Sequence, residues 1–513
     1  YSWDLLSSEE QASLSRLTVF QSGFTAEAAE SALGVSPRLL ASLVAKSLLR
    51  FSADGRYEMH SLLRSFASEK LSLADGQSAQ AAHSRYFARF LITCARDFAS
   101  PGEAQAIAAI STEIANIRLG WQWALTQVSG EAVGCATSAL EEILDLLTQY
   151  IPILSTFYFR KSWFREAEAL FSQAVDQLEA ASFGSLPEDT RAPFVLGILH
   201  LAHARHCRPL GQTQLAHIQL TKSLHLLALY SDSAELADAW HNLGQLEQQS
   251  GAYPAAEEAY QRSLHIYRTL QQPTGIASNL ISLGVLAKNR GDFNQATDLY
   301  SECMQIFEQR GDQRGIWTCL INLGNIANVQ EDYPEALRLY KKAHLNVQQA
   351  GDISRQALTL VNLGSVAREI NQTELALQYY QESLRLSEEI GEIRIQIASL
   401  DGLGKTYLNQ GRLQESRDHL VKAMKIALEG NLLPQALDSL ASFGQLIFQD
   451  GDRQQAIGIL NYVLTQPYCP NHVRQSAEKE LGRISAQMAD GVFMKAKREF
   501  QEFALEEVLV RLI

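Results

Sequence analysis

The sequence has no run of about 18 apolar residues, so none of it reads as a membrane span. No signal peptide is visible. It also lacks a CxxC pair. Its six cysteines (Cys94, Cys135, Cys207, Cys303, Cys319, Cys469) are scattered and read as free thiols of a reducing, cytoplasmic compartment. Residues 60–513 contain no strongly β-rich stretch, which points to an almost all-α chain. There is no catalytic carboxylate pair, no Ser/His/Asp set and no HExxH, so an enzyme reading has no residues to rest on. A basic field is missing too: the net charge is −13, with acids and bases intermingled. That argues against nucleic acid as the main partner, because phosphate binding needs concentrated positive charge.

What the chain does have is a ladder. Asn242-Leu243-Gly244 recurs as Ser282-Leu283-Gly284, Asn322-Leu323-Gly324, Asn362-Leu363-Gly364, Gly402-Leu403-Gly404 and Ser442-Phe443-Gly444, at a step of 40 residues in all six copies. Second rungs keep phase: Gly251, Gly291, Gly411 and Gly451, then Ala256, Ala296, Ala336 and Ala376, then Tyr260, Tyr300, Tyr340 and Tyr380. In the copy that starts at Ala237, Trp240, Leu243, Gly244 and Glu247 recur at i, i+3, i+4, i+7, one face of a helix. Ala256, Tyr260 and Ser263 give the same face of a second helix. Gly251 ends the first helix, and Tyr253-Pro254 opens the second. Each copy is therefore a helical hairpin that buries its apolar face only by stacking on its neighbours.

Trp240, Leu243, Gly244, Ala256, Tyr260 and Ser263 resemble the tetratricopeptide-repeat signature. The usual repeat has about 34 residues. The longer step here adds a second turn, as in Gln309-Arg310-Gly311-Asp312 and Gln349-Ala350-Gly351-Asp352. The expected fold is all-α: a tetratricopeptide-repeat superhelical solenoid behind a small winged-helix domain and a helical connector.

In the N-terminal part, Ser7-x-x-Glu10 is a capping box opening a helix through about Phe20. A second helix starts at Thr25, and Ser36-Pro37 starts a third that runs to about Ser47. Asp54-Gly55 turns a hairpin between Leu49–Phe51 and Arg56–Met59, and a helix from Leu62 to Leu71 leads out. Three helices and a hairpin predict a winged helix over 1–72. Arg16–Phe20, Leu43–Leu49 and Arg56-Tyr57-Glu58-Met59-His60 resemble the winged helix of STAND (NB-ARC/NACHT-like) signalling ATPases. His83–Phe87, Glu113–Arg118 and Trp121–Leu125 resemble the connector between winged helix and repeats in the bacterial members. The resulting domain boundaries are 1–72 for the winged helix, 73–140 for the connector, 141–476 for the solenoid and 477–513 for capping helices. The first repeat is degenerate and is followed by a loop from Ser182 to Pro193. The capping helices include Ala496 to Ile513, where Phe503–Leu509 resembles the C-terminal end of bacterial regulators of this family. Because the chain opens on Tyr1 in mid-motif, a longer protein with an NTPase domain is expected.

The face opposite the buried stripe carries the candidate ligand groove. Its residues are Asn242, Gln245, Gln249, Ser282, Lys288, Asn289, Asn322, Asn325, Asn328, Asn362, Ser365, Arg368, Lys405 and Asn409. Amides both donate and accept, so a row of them can pair with an extended peptide backbone; the bland alternative is a solvated polar face. By the resemblance, His60 contacts the β-phosphate of ADP in the full-length protein, where ATP or ADP with Mg is expected; this stretch itself implies no cofactor. Gly404-Lys405-Thr406 imitates a P-loop but lacks the first glycine and the preceding strand. His200, His203, His206 and Cys207 have metal-like spacing, yet positions 200 and 203 are packing positions, so no metal is assigned. Tyr260, Tyr300, Tyr340 and Tyr380 read as core. The third N-terminal helix offers only Arg38 and Lys46, with Arg50 beyond, too few for DNA.

The resemblance implies the sensor and regulatory arm of a STAND-type ATPase. A protein or peptide inducer binds the concave groove and acts through the connector and winged helix on the NTPase in cis. Alternatives are a constitutive scaffold or autoinhibitory clamp and, less favoured, a DNA-binding regulator. A monomer is expected.

Overall fold

The computed structural model describes residues 3–98, 102–129, 137–182, 190–230, 232–485, 500, 503 and 505–512. Two short strands apart, its regular structure is helical, and it divides into two compact units, Tyr1–Ser282 and Leu283–Ile513.

The first unit opens with α1 (Ser8–Arg16), α2 (Ala26–Leu33) and α3 (Pro37–Ala45). An antiparallel pair follows, β1 (Arg50–Phe51) and β2 (Tyr57–Glu58), with Arg50 opposite Glu58, and then α4 (Ser61–Glu69). Ser7 and Glu10 form the reciprocal capping box, and Thr25 and Ser36 cap α2 and α3. The elements are shorter than the sequence pattern predicts. α1 stops at Arg16 because Leu17–Val19 tightens into a 3-10 turn, and α3 stops at Ala45 before Ser47, whose φ is 57°. Leu49 and Met59 lie outside the strands but are buried in the core. Glu10 does more than cap: it accepts from Ser42 Oγ and Lys46 Nζ, both at 2.6 Å, and so ties α1 to α3.

Four long helices come next: α5 (Leu73–Ala95), α6 (Glu103–Ser129), α7 (Thr137–Arg160) and α8 (Phe164–Ser182). They are bound to the N-terminal elements by contacts that include the Arg56–Glu113 ion pair, an aromatic cluster and a buried amide. Phe20 packs on Phe24, His83 and Phe87. The buried Asn116 on α6 accepts from the Gln21 N–H at 2.9 Å and donates to Gly23 O at 3.3 Å. Of the loop expected after α8, residues 183–189 lie outside the described residues; α9 (Ala192–Cys207) and α10 (Thr213–Leu227) follow. Then come α11 (Ala234–Gln249), α12 (Tyr253–Thr269) and α13 (Pro273–Arg290).

The second unit continues the hairpins: α14 (Phe293–Arg310), α15 (Gln313–Val329), α16 (Tyr333–Gln349), α17 (Ile353–Glu369), α18 (Thr373–Ile390) and α19 (Ile393–Asn409). It ends with α20 (Leu413–Glu429), α21 (Leu433–Gln449), α22 (Arg453–Thr465), α23 (Asn471–Ser485) and a last helix, Leu505–Leu512. Of the terminal helix expected from Ala496, Leu505–Leu512 is described as helix, while residues 496–499, 501, 502, 504 and 513 lie outside the described residues.

The repeat chemistry follows from the ladder. A Cβ built on Gly244 would lie 2.7 Å from the Tyr260 ring, on Gly284 2.8 Å from Tyr300, and on Gly364 2.9 Å from Tyr380. Only glycine lets the ring of the second helix lie flat on the first. The four ladder tyrosines are at most 2% exposed, which makes them core. A small residue three places on adds a polar tie: Ser263 after Tyr260, Ser383 after Tyr380 and, in an earlier copy, Ser223 after Leu220 donate to the carbonyls of Ala237, Ala357 and Gly197 at 2.7–2.8 Å. The inter-helix turns need a left-handed residue. Glycine supplies it at Gly251, Gly291, Gly411 and Gly451, whereas Glu331 (φ 60°) and Asn371 (φ 57°) adopt it without being glycine.

Candidate functional site

In the first unit the candidate residues meet a built cavity. α7, α9 and α11 enclose about 440 Å³, and Asn242 and Gln245 line it. Ile151, Pro152, Phe159, Ile198 and Leu201 make its apolar wall, and Arg205, Arg208, Asp238 and His241 its polar one. The amides are held in place. Asn242 Nδ2 donates to Asp238 O at 2.8 Å, and Gln245 bridges His241 Nε2, at 2.9 Å, and the Arg208 guanidinium. His241 Nδ1 in turn meets Asn279 Oδ1 at 2.9 Å. Burial pushes Asp238 up and His241 down; the Tyr267 hydroxyl donates to the Asp238 carboxylate. Gln249 and Ser282 are not part of this cavity; Ser282 Oγ donates back to Ser278 O at 3.1 Å.

In the second unit the candidate positions separate into two kinds. Lys288 is half-buried, and Asn289 and Asn409 are exposed. Asn322, Asn325, Asn328, Asn362, Ser365 and Arg368 are half-buried on α15 and α17. Asn322 Nδ2 returns to Thr318 O at 2.9 Å, and Asn325 Oδ1 accepts from the Tyr340 hydroxyl at 2.6 Å. Asn328 Oδ1 is buried without a partner, and Asn362 has no side-chain hydrogen bond among the described residues. Arg368 pairs with Glu369 at 2.8 Å.

Lys405 is different. Its ammonium is 2.5 Å from Asp401 and 3.3 Å from Asp438, and His472 lies 3.4 Å from Asp438 on the other side. Ser442 Oγ donates to Asp401 at 3.0 Å. Burial alone would depress Lys405, but the two carboxylates outweigh it and raise it. Burial pushes Asp401 up; for Asp438, Lys405 and His472 overcome burial and hold the carboxyl at about 2. Gly404-Lys405-Thr406 sits inside α19, where Thr406 Oγ1 donates to Gly402 O at 2.6 Å, as befits a helix interior rather than a phosphate loop.

The remaining candidates have local partners. His60 is an exposed cap of α4, its Nδ1 accepting from the Leu62 N–H at 3.3 Å. Its exposed ring fits one phosphate contact and does not by itself make a nucleotide site. Lys46 is taken by Glu10, which leaves Arg38 and Arg50 exposed on that surface. The histidines of α9 point to three different neighbours: His200 to Gln219, His203 to Glu168 at 3.3 Å, and His206 to Ser155 at 3.2 Å. Only His203 gathers with Glu168 and Cys207, their ligand atoms within 4.8 Å of one another. Burial and the Glu168 charge push the Cys207 thiol up to about 12, so this environment favours the neutral thiol over the thiolate a metal takes.

Sequence reasoning missed Arg205, Arg208, Asp238, His241, Asp401, Asp438 and His472. The grid contained a signal for three of them. Arg205 shares the register of Gln245, Asn325 and Lys405, and Arg208 that of Lys288, Asn328 and Arg368. Asp401 stands where other repeats have Ile281, Ile321 and Val361.

The fold resembles a Signal Transduction ATPase with Numerous Domains (STAND) protein with a tetratricopeptide repeat sensor from Pyrococcus horikoshii. The TM-score is 0.63 at 14% identity, covering 96% of this chain and 66% of that one. The chain therefore spans somewhat less than two thirds of that protein. The apo form of RapI is similar at a TM-score of 0.53 and 13% identity, over 71% of this chain and 98% of that one. No curated protein sequence matches. The profile of the MalT-like TPR region matches residues 243–502, just over half of the chain. On that match the chain belongs to the MalT-like tetratricopeptide-repeat family.

Proposed function

We propose that this chain is the sensor and regulatory arm of a STAND-type signal-transduction ATPase. A protein or peptide inducer lies along the amide-bearing first helices, and its binding is relayed through α5–α8 to the N-terminal helices and hairpin. The observation that carries the reading is the row of half-buried polar groups on α15 and α17, where Asn362 and the Asn328 carbonyl hold unspent hydrogen-bonding capacity. Half-buried amides with spare donors and acceptors suit an extended backbone. The Pyrococcus protein, a signal transduction ATPase with a tetratricopeptide repeat sensor, supports the assignment of the repeats to sensing. In this reading the chain itself catalyses nothing. ATP or ADP with Mg belongs to an NTPase domain outside it, and His60 supplies one contact to that nucleotide. The inducer must prefer one arrangement of the regulator, since equal affinity for both shifts nothing. The test is a pull-down from lysate of the source organism with this chain and its Asn322→Ala/Asn362→Ala variant as baits, read by mass spectrometry. A protein or peptide held by the parent and lost by the variant is the expected result. Identical recovery by both baits would remove the groove from the account.

A further inference from the structure

The cavity between α7, α9 and α11 carries a charge arrangement that the groove reading does not use. Arg205 lies in the last turn of α9 and Arg208 caps its C-terminus, and both line the cavity. Neither has a carboxylate within 4 Å among the described residues, although Asp238 and Glu235 line the same space. Arg205 rests its guanidinium 4.8 Å above the Phe159 ring and meets Thr156 Oγ1 at 3.4 Å. Arg208 has Gln245 Oε1. Asp238 accepts instead from the Tyr267 hydroxyl. Two neighbouring cations are thus half-buried against an apolar wall, with neutral hydrogen-bond partners, and Asp238 acts on Arg205 only from beyond ion-pair distance. An unpaired charge in such a place is costly unless an opposite charge joins it. Burial accordingly lowers both guanidinium groups from their ordinary values.

We infer that this cavity is a binding pocket for a small ligand with an apolar body and an oxyanion head, the head gripped by Arg205 and Arg208 and the body laid on Ile151, Phe159 and Leu201. A guanidinium fork matches a carboxylate or a phosphate in two parallel hydrogen bonds, and lysine at these positions would not. The volume of about 440 Å³ suits a ligand of amino-acid to short-peptide size. The inference goes beyond the groove reading, because it stands on α7 and α9 and draws nothing from Asn322 or Asn362.

The test is isothermal titration of the whole chain with four probes: N-acetyl-leucine, N-acetyl-leucinamide, phenyl phosphate and inorganic phosphate. One of the two oxyanions with an apolar body should bind, and whichever binds more tightly identifies the head group as carboxylate or phosphate. The amide and inorganic phosphate should bind at least about tenfold more weakly, a difference of about 1.4 kcal/mol. Arg208→Glu, at the half-exposed end of the pair, should abolish the signal. Arg205→Lys should weaken it by about tenfold or more, since a point charge replaces a fork. Asn322→Ala/Asn362→Ala should leave it unchanged, so failure of the groove and failure of the pocket are told apart. Far-UV circular dichroism of each variant checks that the helices persist. Equal binding of the acid and its amide, no binding of any probe at about 10 mM, or full retention in folded Arg208→Glu would overturn the inference.

Discussion

Gly324→Ala puts the physical account of the repeat at risk. In an ordinary helix interior this change stabilises by about 1 kcal/mol, because alanine is the better helix former. Here the added methyl would sit 2.8 Å from Tyr340 Cδ1, well inside contact distance. The ring has nowhere to go: Tyr340 is 1% exposed, and its hydroxyl is held by Asn325 at 2.6 Å. Overpacking of this kind costs about 1–3 kcal/mol, and displacing the ring also gives up a hydrogen bond of about 1 kcal/mol. The balance is a loss of about 1–3 kcal/mol. In a Tyr340→Ala background the obstacle is gone, and the same Gly324→Ala change should become neutral or stabilising by up to about 1 kcal/mol. The assay is a double-mutant cycle by urea denaturation, with hydrogen exchange over residues 313–349 to locate the loss. If Gly324→Ala stabilises the parent, or costs the same with and without Tyr340, the glycine is not there for the ring and the reasoning fails.

Glu331→Gly should raise stability by about 0.5–1 kcal/mol, because Glu331 holds a φ of 60° that an L side chain resists; a lowered urea midpoint would contradict this. His83 is 1% exposed with Nε2 unpartnered, and burial lowers it from 6.5 to about 4. The unfolded chain therefore takes up a proton that the folded chain refuses. Stability is full above pH 6.5 and falls as pH drops toward about 4, by on the order of 3 kcal/mol. His83→Leu should flatten that stretch of the pH profile, and an unchanged slope would assign acid sensitivity elsewhere. Lys405→Met leaves Asp401 and Asp438 facing each other without their cation and should cost about 2–3 kcal/mol, discounted for the lysine's partial exposure. Asp438→Asn should cost less, since Lys405 keeps Asp401.

The repeat core was legible because its chemistry is local and periodic. Gly324 and Tyr340 announce each other sixteen residues apart, and three other copies restate the pair, at Gly244/Tyr260, Gly284/Tyr300 and Gly364/Tyr380. The polar sites were less legible because their meaning depends on partners from other helices. Lys405 reads as a groove cation until Asp401, Asp438 and His472 come around it from three helices. Arg205 and Arg208 sit in a run whose histidines drew attention to metal spacing, while α7, which closes the cavity over them, has no repeat signature at all. At the N-terminus the caps at Ser7, Thr25 and Ser36 fixed the helix starts. The helix ends shifted because a 3-10 turn and the left-handed Ser47 leave little trace in composition.

The unvarying step has a consequence for how such a gene can change. Removing residues 325–364 would splice Gly324 onto Ser365 with no change of phase, since the excised length is one period of 40 residues. Gly324 would then meet Tyr380, which already serves Gly364 in the same way. Loss or duplication of a whole copy by unequal recombination is therefore structurally silent at the junction, while a deletion one residue shorter would swing the rest of the spliced helix by about 100°. Array length can drift between lineages in whole copies, and the amide-bearing surface would lengthen or shorten with it, one helix at a time.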